Sequence, residues 1–288
     1  MKTIASQIKN FILHLRLHYQ IFILSGPYLL GVLLSNQLSY LQLVQFFSVH
    51  ILLFGGVTAY NSYFDKDEGP IGGLKNPPKM QKWMLVASWI FQIFGLLIAF
   101  YSGFYFKIIY IICALSFWMY SSPRVRLKGQ PIASLVAIGV SAAVCATLLG
   151  YYANGNTEAP SLIVWIAALG SIFLITSMYP VSQVYQVEED RLRGDVTFAV
   201  RYGKSGVKNL FFSLFPIGTL LVAFALASIN ILYSTLFIIG GIVAGIMVSL
   251  VIKKMTMTPS DYTMVMRVKY VGGLLFSLCM LLLIFLNF

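Results

Sequence analysis

The chain has 288 residues, of which 59% are hydrophobic and 10% charged, with a mean hydropathy of +0.83 and a net charge of +11. That hydropathy excludes an ordinary soluble domain, and continuous apolar runs such as Val248 to Ile252 and Leu281 to Leu286 exclude a spanning β-barrel, whose strands alternate. The positive charge would suit nucleic acid, but it lies in short loops between apolar runs, as membrane topology requires, so no nucleic-acid partner is expected.

Residues 1–18 carry Lys2, Lys9 and Arg16. The apolar positions Ile4, Ile8, Phe11, Ile12 and Leu15 recur at helical spacing, which predicts an interfacial helix. No small-residue cleavage site follows the first apolar run, so it reads as a retained span. Apolar runs of bilayer length then predict about nine helices, at 19–35, 41–64, 83–106, 108–121, 132–152, 161–187, 209–227, 231–252 and 268–286. The expected fold is all-α: a polytopic membrane protein, a bundle of about nine transmembrane helices in one domain over 1–288. With that topology, 19 of the 20 lysines and arginines fall on the side of the N-terminus, and only Lys107 falls on the other. The positive-inside bias puts the N-terminus in the cytoplasm and the C-terminus outside. The expected location is the cytoplasmic membrane of a prokaryote, with the lipid bilayer as partner.

Cys113, Cys145 and Cys279 lie in separate apolar runs with no metal spacing, and read as small buried residues. His50 stands eleven positions before Asn61, close to the same helical face, and is a candidate lining residue or an interhelical hydrogen bond. His14 and His18, four apart at a membrane interface, are not expected to bind metal.

Seven of the nine carboxylates form two clusters. Asp65, Asp67 and Glu68 end the second run; Glu188, Glu189, Asp190 and Asp195 follow the sixth. Asn61 and Asp65 are four apart and share a helical face, and Ser182, Gln186 and Asp190 repeat that spacing. Carboxylate and amide oxygens leaving room for water and phosphate suit Mg²⁺, which would also relieve their mutual repulsion beside a low-dielectric core. Lys75 and Lys79 follow the first cluster, and Arg124, Arg126 and Lys128 stand between the fourth and fifth spans. A pocket for a diphosphate bridged by metal fits that arrangement.

These residues resemble a family. Asn61-Ser-Tyr-Phe-Asp65 is similar to the first aspartate-rich motif of the UbiA superfamily of intramembrane prenyltransferases. Tyr120-Ser-Ser-Pro-Arg124-Val-Arg126-Leu-Lys128 resembles its tyrosine-to-basic loop. Tyr185-Gln186 through Asp190 to Gly194-Asp195 and Thr197, with Gly203 beyond, resembles its second motif. Two positions depart from the pattern: Gly69 stands for the last aspartate of the first motif, and Gln186 for the first of the second. The resemblance implies Mg²⁺ held by Asn61, Asp65, Asp67, Gln186 and Asp190. It implies an isoprenoid diphosphate donor held by Lys75, Lys79, Arg124 and Lys128. Asp65, Asp190 and Tyr120 would be catalytic, the last by stabilising an allylic cation or positioning the diphosphate. A lipophilic acceptor, aromatic ring or alcohol, would take the prenyl group. Two other readings remain at this level. A transporter would carry polar groups at several membrane depths. A non-catalytic homologue that binds an isoprenoid lipid is motivated by Gly69 and Gln186.

Overall fold

The computed structural model describes residues 3–288; Lys2, counted above with the basic residues of the N-terminal side, lies outside them. The described residues are helical apart from connecting loops and one isolated bridge between Ile71 and Leu74. Helix α1 (Ile4–Leu15) exposes Ile4, Ile8 and Ile12 and buries Phe11 and Leu15, as the apolar spacing requires. Arg16 is left-handed (φ 49°) and separates α1 from α2 (Leu17–Ile23). A 44° bend then leads into α3 (Ser25–Leu34). Helix α4 (Tyr40–Asp65) is continuous but widens into π-type turns over Ser48–Phe54.

The next stretch, Lys82–Ser121, runs for 40 residues, twice the roughly 20 that cross a bilayer. It reverses at Gly103, whose φ of +83° suits glycine alone. The Trp118 indole N–H donates to Gln92 Oε1 at 2.7 Å, and the Tyr110 hydroxyl to the Gln92 carbonyl at 2.9 Å. On a straight helix Gln92 and Trp118 would stand about 39 Å apart. Helices α5 (Lys82–Ala99) and α6 (Gly103–Ser121) are therefore antiparallel arms. There follow α7 (Pro131–Tyr152), α8 (Leu162–Met178), the short α9 (Val187–Arg193), α10 (Phe198–Ala227), α11 (Ile231–Lys254) and α12 (Tyr262–Asn287). Seven helices are long and apolar enough to cross a membrane, and the bent pair Ile4–Ile23 and Ser25–Leu34 adds an eighth. Since Lys82–Ser121 is two arms of 18 and 19 residues, the described residues offer up to nine segments of membrane-crossing length.

Loop contacts sort the two ends. At one end Asn154 Nδ2 donates to Gln37 Oε1 (2.9 Å) and the Ser102 hydroxyl to the Ala153 carbonyl (2.7 Å). At the other, Arg126 meets Asp195, Arg193 meets Asp67, and a His14 ring nitrogen lies 2.7 Å from the Pro78 carbonyl. The basic loops share this second end, while Lys107 lies toward the first, its ammonium 4.3 Å from the Phe100 ring centroid. Between the ends, α3 and α7 touch backbone to backbone: Gly150 lies against the Tyr28 carbonyl and Gly31 against Thr147. A β-carbon at 150 would overlap the Tyr28 carbonyl. Gly150→Val is therefore expected to cost about 1–3 kcal/mol, read as a lower midpoint of denaturant unfolding in detergent.

Candidate active site

The charged end is assembled from three loops that follow α4, α6 and α9. Asp65 is the last residue of α4, and Lys66 ends the helix in the left-handed region (φ 52°). The Asp65 side chain is only 3% exposed. Its Oδ2 takes the Lys128 ammonium at 2.6 Å. Its Oδ1 has no hydrogen-bond partner, although an Arg126 nitrogen lies 3.6 Å away. Arg126, itself left-handed (φ 45°), donates two bonds to Asp195 at 2.7 and 2.8 Å. That carboxylate raises the guanidinium's pKa above its ordinary value and keeps it charged. Arg193 donates to Asp67 at 2.7 Å and stands 3.2 Å from Glu189.

The second acidic cluster is reached through a break in the helix. Pro180 cannot continue α8. The chain passes through two tight 3₁₀ turns, Pro180–Ser182 and Val184–Gln186, before α9 begins. Ser182, Gln186 and Asp190 thus do not share one helical face, yet all three line the same cavity. Asp190 is buried; its Oδ2 accepts from the Thr197 hydroxyl at 3.2 Å, and its backbone carbonyl from the Asp195 N–H at 2.9 Å. Thr197 also caps α10 through Val200 N–H.

The cavity has a volume of about 660 Å³ and runs from this charged mouth into the apolar bundle. Asn61, Asp65, Asp67, Tyr120, Lys128, Gln186 and Asp190 line it. Below them the walls are apolar, with Phe117, Leu174, Phe215 and Phe276 among them. Asn61 donates its amide N–H to the Ser121 hydroxyl at 2.9 Å, which leaves its oxygen as the open acceptor. The Tyr120 and Tyr179 hydroxyls are 2.7 Å apart. Lys75, Lys79 and Arg124 are exposed and lie outside the cavity. His50 also lies outside it: the ring is fully buried, bonds the Phe46 carbonyl of its own helix at 2.8 Å and stacks on Phe46. His14 and His18 hold the loop after α4 through the Pro78 and Gly73 carbonyls.

Glu189 does not reach the cavity. It accepts from the Glu68 N–H at 2.9 Å, and its Oε2 lies 2.8 Å from where a β-carbon at Gly69 would stand. Its carboxylate therefore fills the space that a residue-69 side chain would need. Sequence reasoning missed Arg16, Tyr179, Gln183 and Lys269, which also line the cavity, as does Thr197 of the second motif. The Tyr179-Pro180 step was a readable break signal; Arg16 and Lys269 carry no local signal.

Two observations test whether the mouth fits a divalent metal. Asp65 Oδ1 is a buried carboxylate oxygen without a hydrogen-bond partner, and the open donors around it are oxygens. Among the described residues no three of His, Cys, Asp and Glu converge closely enough to hold a metal alone. That suits Mg²⁺, which takes one or two carboxylates and completes its shell with water and phosphate.

A family model described as the UbiA prenyltransferase family matches residues 24–266. No curated protein matches the chain by sequence. Among solved structures, a UbiA homologue from Archaeoglobus fulgidus bound to GPP and Mg²⁺ is similar with a TM-score of 0.71 and 20% identity, covering 96% of this chain and 99% of that one. The same homologue bound to DMAPP and Mg²⁺ gives 0.71 at 18% identity, covering 93% and 99%. A structure concerned with digeranylgeranylglyceryl phosphate synthase gives 0.63 at 21% identity, covering 96% and 98%. At these identities the likeness is one of fold.

The Asp65–Lys128 pair makes a prediction independent of turnover. Lys128→Met leaves a buried carboxylate without its closest cation and should cost about 3–5 kcal/mol of stability. Adding Asp65→Asn should recover most of that loss in denaturant titrations.

Proposed function

The chain belongs to the UbiA prenyltransferase family, and from that premise we propose that it transfers a prenyl group from an isoprenoid diphosphate to an aromatic or alcohol acceptor at the cytoplasmic membrane face. One observation carries this reading. The helix ends bearing Asn61 with Asp65 and Gln186 with Asp190 meet at the mouth of one apolar cavity, with Lys128 and Tyr120 between them. Charge at one end and an apolar interior match a ligand with an anionic head and a hydrocarbon tail. A transport path would instead need polar groups along its depth.

Asn61, Asp65, Asp67, Gln186 and Asp190 would hold Mg²⁺. When bound, it supplies Lewis-acid neutralisation of the departing diphosphate. Lys128, already in the cavity, takes phosphate oxygens by charge-assisted hydrogen bonds, and Arg126 beside it adds a charge that does not titrate near neutrality. Lys75, Lys79 and Arg124 act from the surface, where their positive potential draws the anion in. The donor's C1–O bond breaks, and its electron pair leaves on the diphosphate oxygen. The acceptor atom then bonds to C1 and loses its proton to solvent at the mouth. The Tyr120 ring faces the developing allylic cation, and the apolar walls keep water from quenching it. Tyr179 is a positioning residue that fixes the Tyr120 hydroxyl. The excess of basic residues at the site end supports a cytoplasmic mouth in a prokaryotic membrane.

Purified protein in nanodiscs should release pyrophosphate from geranyl diphosphate with a suitable acceptor only when Mg²⁺ is present. Asp65→Ala and Asp190→Ala should each lower turnover about 100-fold or more while remaining folded. Full activity in both variants would sink the assignment of these carboxylates. Tyr179→Phe should lower kcat about fivefold with the donor KM unchanged, the signature of a lost orienting hydrogen bond. Lipid extracts of a deletion strain should lack one prenylated product, whose structure identifies the acceptor.

A further inference from the structure

Arg193 sits between two carboxylates and is fully committed to neither. Its Nη2 donates to Asp67 Oδ1 at 2.7 Å and stands 3.2 Å from Glu189 Oε1, one turn earlier on α9. Its Nη1 is buried without a hydrogen-bond partner, and Asp195 Oδ2 is 3.9 Å from it. Glu189 is equally open. Oε1 accepts from the Glu68 N–H at 2.9 Å, while Oε2 accepts no hydrogen bond among the described residues and lies beside Gly69. One guanidinium nitrogen thus serves two acids, and one nitrogen of Arg193 and one oxygen of Glu189 stand unused.

Three physical points say what this arrangement is for. Asp67 lines the cavity with its side chain 4% exposed, whereas Glu189 lies outside it and is 25% exposed. A metal ion and a guanidinium compete for the same carboxylate oxygens. When Asp67 faces a cation, Arg193 needs another acid, because a partly buried charge left unpaired is costly. Glu189 is that acid. It stands four positions before Arg193, the favoured order for an acid–base pair on a helix, and the unused Nη1 and Oε2 are the atoms a two-bond fork would add. Meanwhile the Glu68 N–H bond keeps residues 67–69 against α9. Finally, Glu189 stands where residue 69 has no side chain. The atoms that a β-carbon at Gly69 would meet are Oε2 and Cδ of Glu189.

We propose that Glu189 is a positioning residue for the metal: it supplies from α9 the carboxylate that position 69 lacks, and takes over Arg193 when Asp67 turns to Mg²⁺. The proposal rests on the prenyl-transfer reading for the metal itself. It adds that Glu189 touches neither metal nor substrate and acts through Arg193.

The test titrates Mn²⁺, a paramagnetic stand-in for Mg²⁺, into the full-length protein in phosphatidylcholine nanodiscs. Geranyl S-thiolodiphosphate is present as a non-reacting donor, free Mn²⁺ is read by electron paramagnetic resonance, and empty nanodiscs with the same analogue give the background. Glu189→Gln keeps an acceptor for the Glu68 N–H and removes only the charge. It should weaken Mn²⁺ binding about tenfold, because Arg193 then stays on Asp67. Arg193→Gln removes the competitor, and in that background Glu189→Gln should change the affinity less than about twofold. Glu189→Ala should weaken binding as Glu189→Gln does, and adding Gly69→Asp should restore most of the loss. This last arm leaves Arg193 in place, so it decides the matter even where the Arg193 variant does not fold. Wild-type affinity in Glu189→Gln overturns the proposal and leaves the transfer reading standing. A loss of equal size with and without Arg193 assigns Glu189 to the general field of the mouth, and overturns it too. So does a Gly69→Asp, Glu189→Ala protein that binds no better than Glu189→Ala. If the wild-type protein binds no Mn²⁺ above background, the transfer reading itself fails and the proposal falls with it.

Discussion

The constraint on which this molecule turns is the burial of Asp65 at the end of an apolar helix. A carboxylate in that position needs positive charge close by. Lys128 supplies it from the loop after α6, and that loop also brings Arg126 to Asp195 beyond α9. Arg193 closes the circuit by returning to Asp67, two residues past Asp65. Three loops distant in sequence thus become one charged rim, and the rim fixes where the helix ends stand. The same residues suit a diphosphate because they are already arranged as alternating acids and bases. In the proposed reaction an incoming anion with its metal would exchange partners within the network and would not need to create one.

How much of this could be read from the chain depends on whether a feature is local. Asn61 and Asp65 were legible because α4 is unbroken between them, so four positions place both on one face. The membrane-length helices were legible from apolar length, even across the tight reversal at Gly103, where no polar loop marks the turn. The Gln186–Asp190 pair was read as one helical face. Pro180 breaks that helix, and the two residues meet in the cavity by a different path. Lys128 and Arg126 were indistinguishable in sequence from Arg124. The left-handed backbone at Arg126 decides which of these side chains turn inward, and no spacing rule announces it. Arg16 and Lys269 were counted only as topological charge, because they come together through Tyr19 across some 250 positions.

His50 shows why helical arithmetic failed at one point. Eleven residues separate it from Asn61, which on a regular helix would align them. The wide turns over Ser48–Phe54 fall in that interval and rotate the helix, so the imidazole faces Phe46 and Tyr28 instead. A matching widening over Gly139–Cys145 interrupts α7. Both lie in the middle of spans that build the cavity wall, where a local change of pitch re-aims every side chain beyond it.

The pairing of acids with distant bases also has a consequence for how the protein is made. Asp65 leaves the ribosome 63 residues before Lys128, and Asp67 leaves 126 before Arg193. At about 5–20 residues per second, the first carboxylate waits roughly 3–13 s for its cation, and the second about twice as long. Through that interval the acidic helix end stays at the water interface, neutralised by solvent and ions. The apolar helices can therefore enter the bilayer in order, while the charged mouth remains open until the 179–197 segment has been synthesised. A nascent chain stalled before that point would carry inserted apolar helices and an acidic rim still lacking its Arg193 partner.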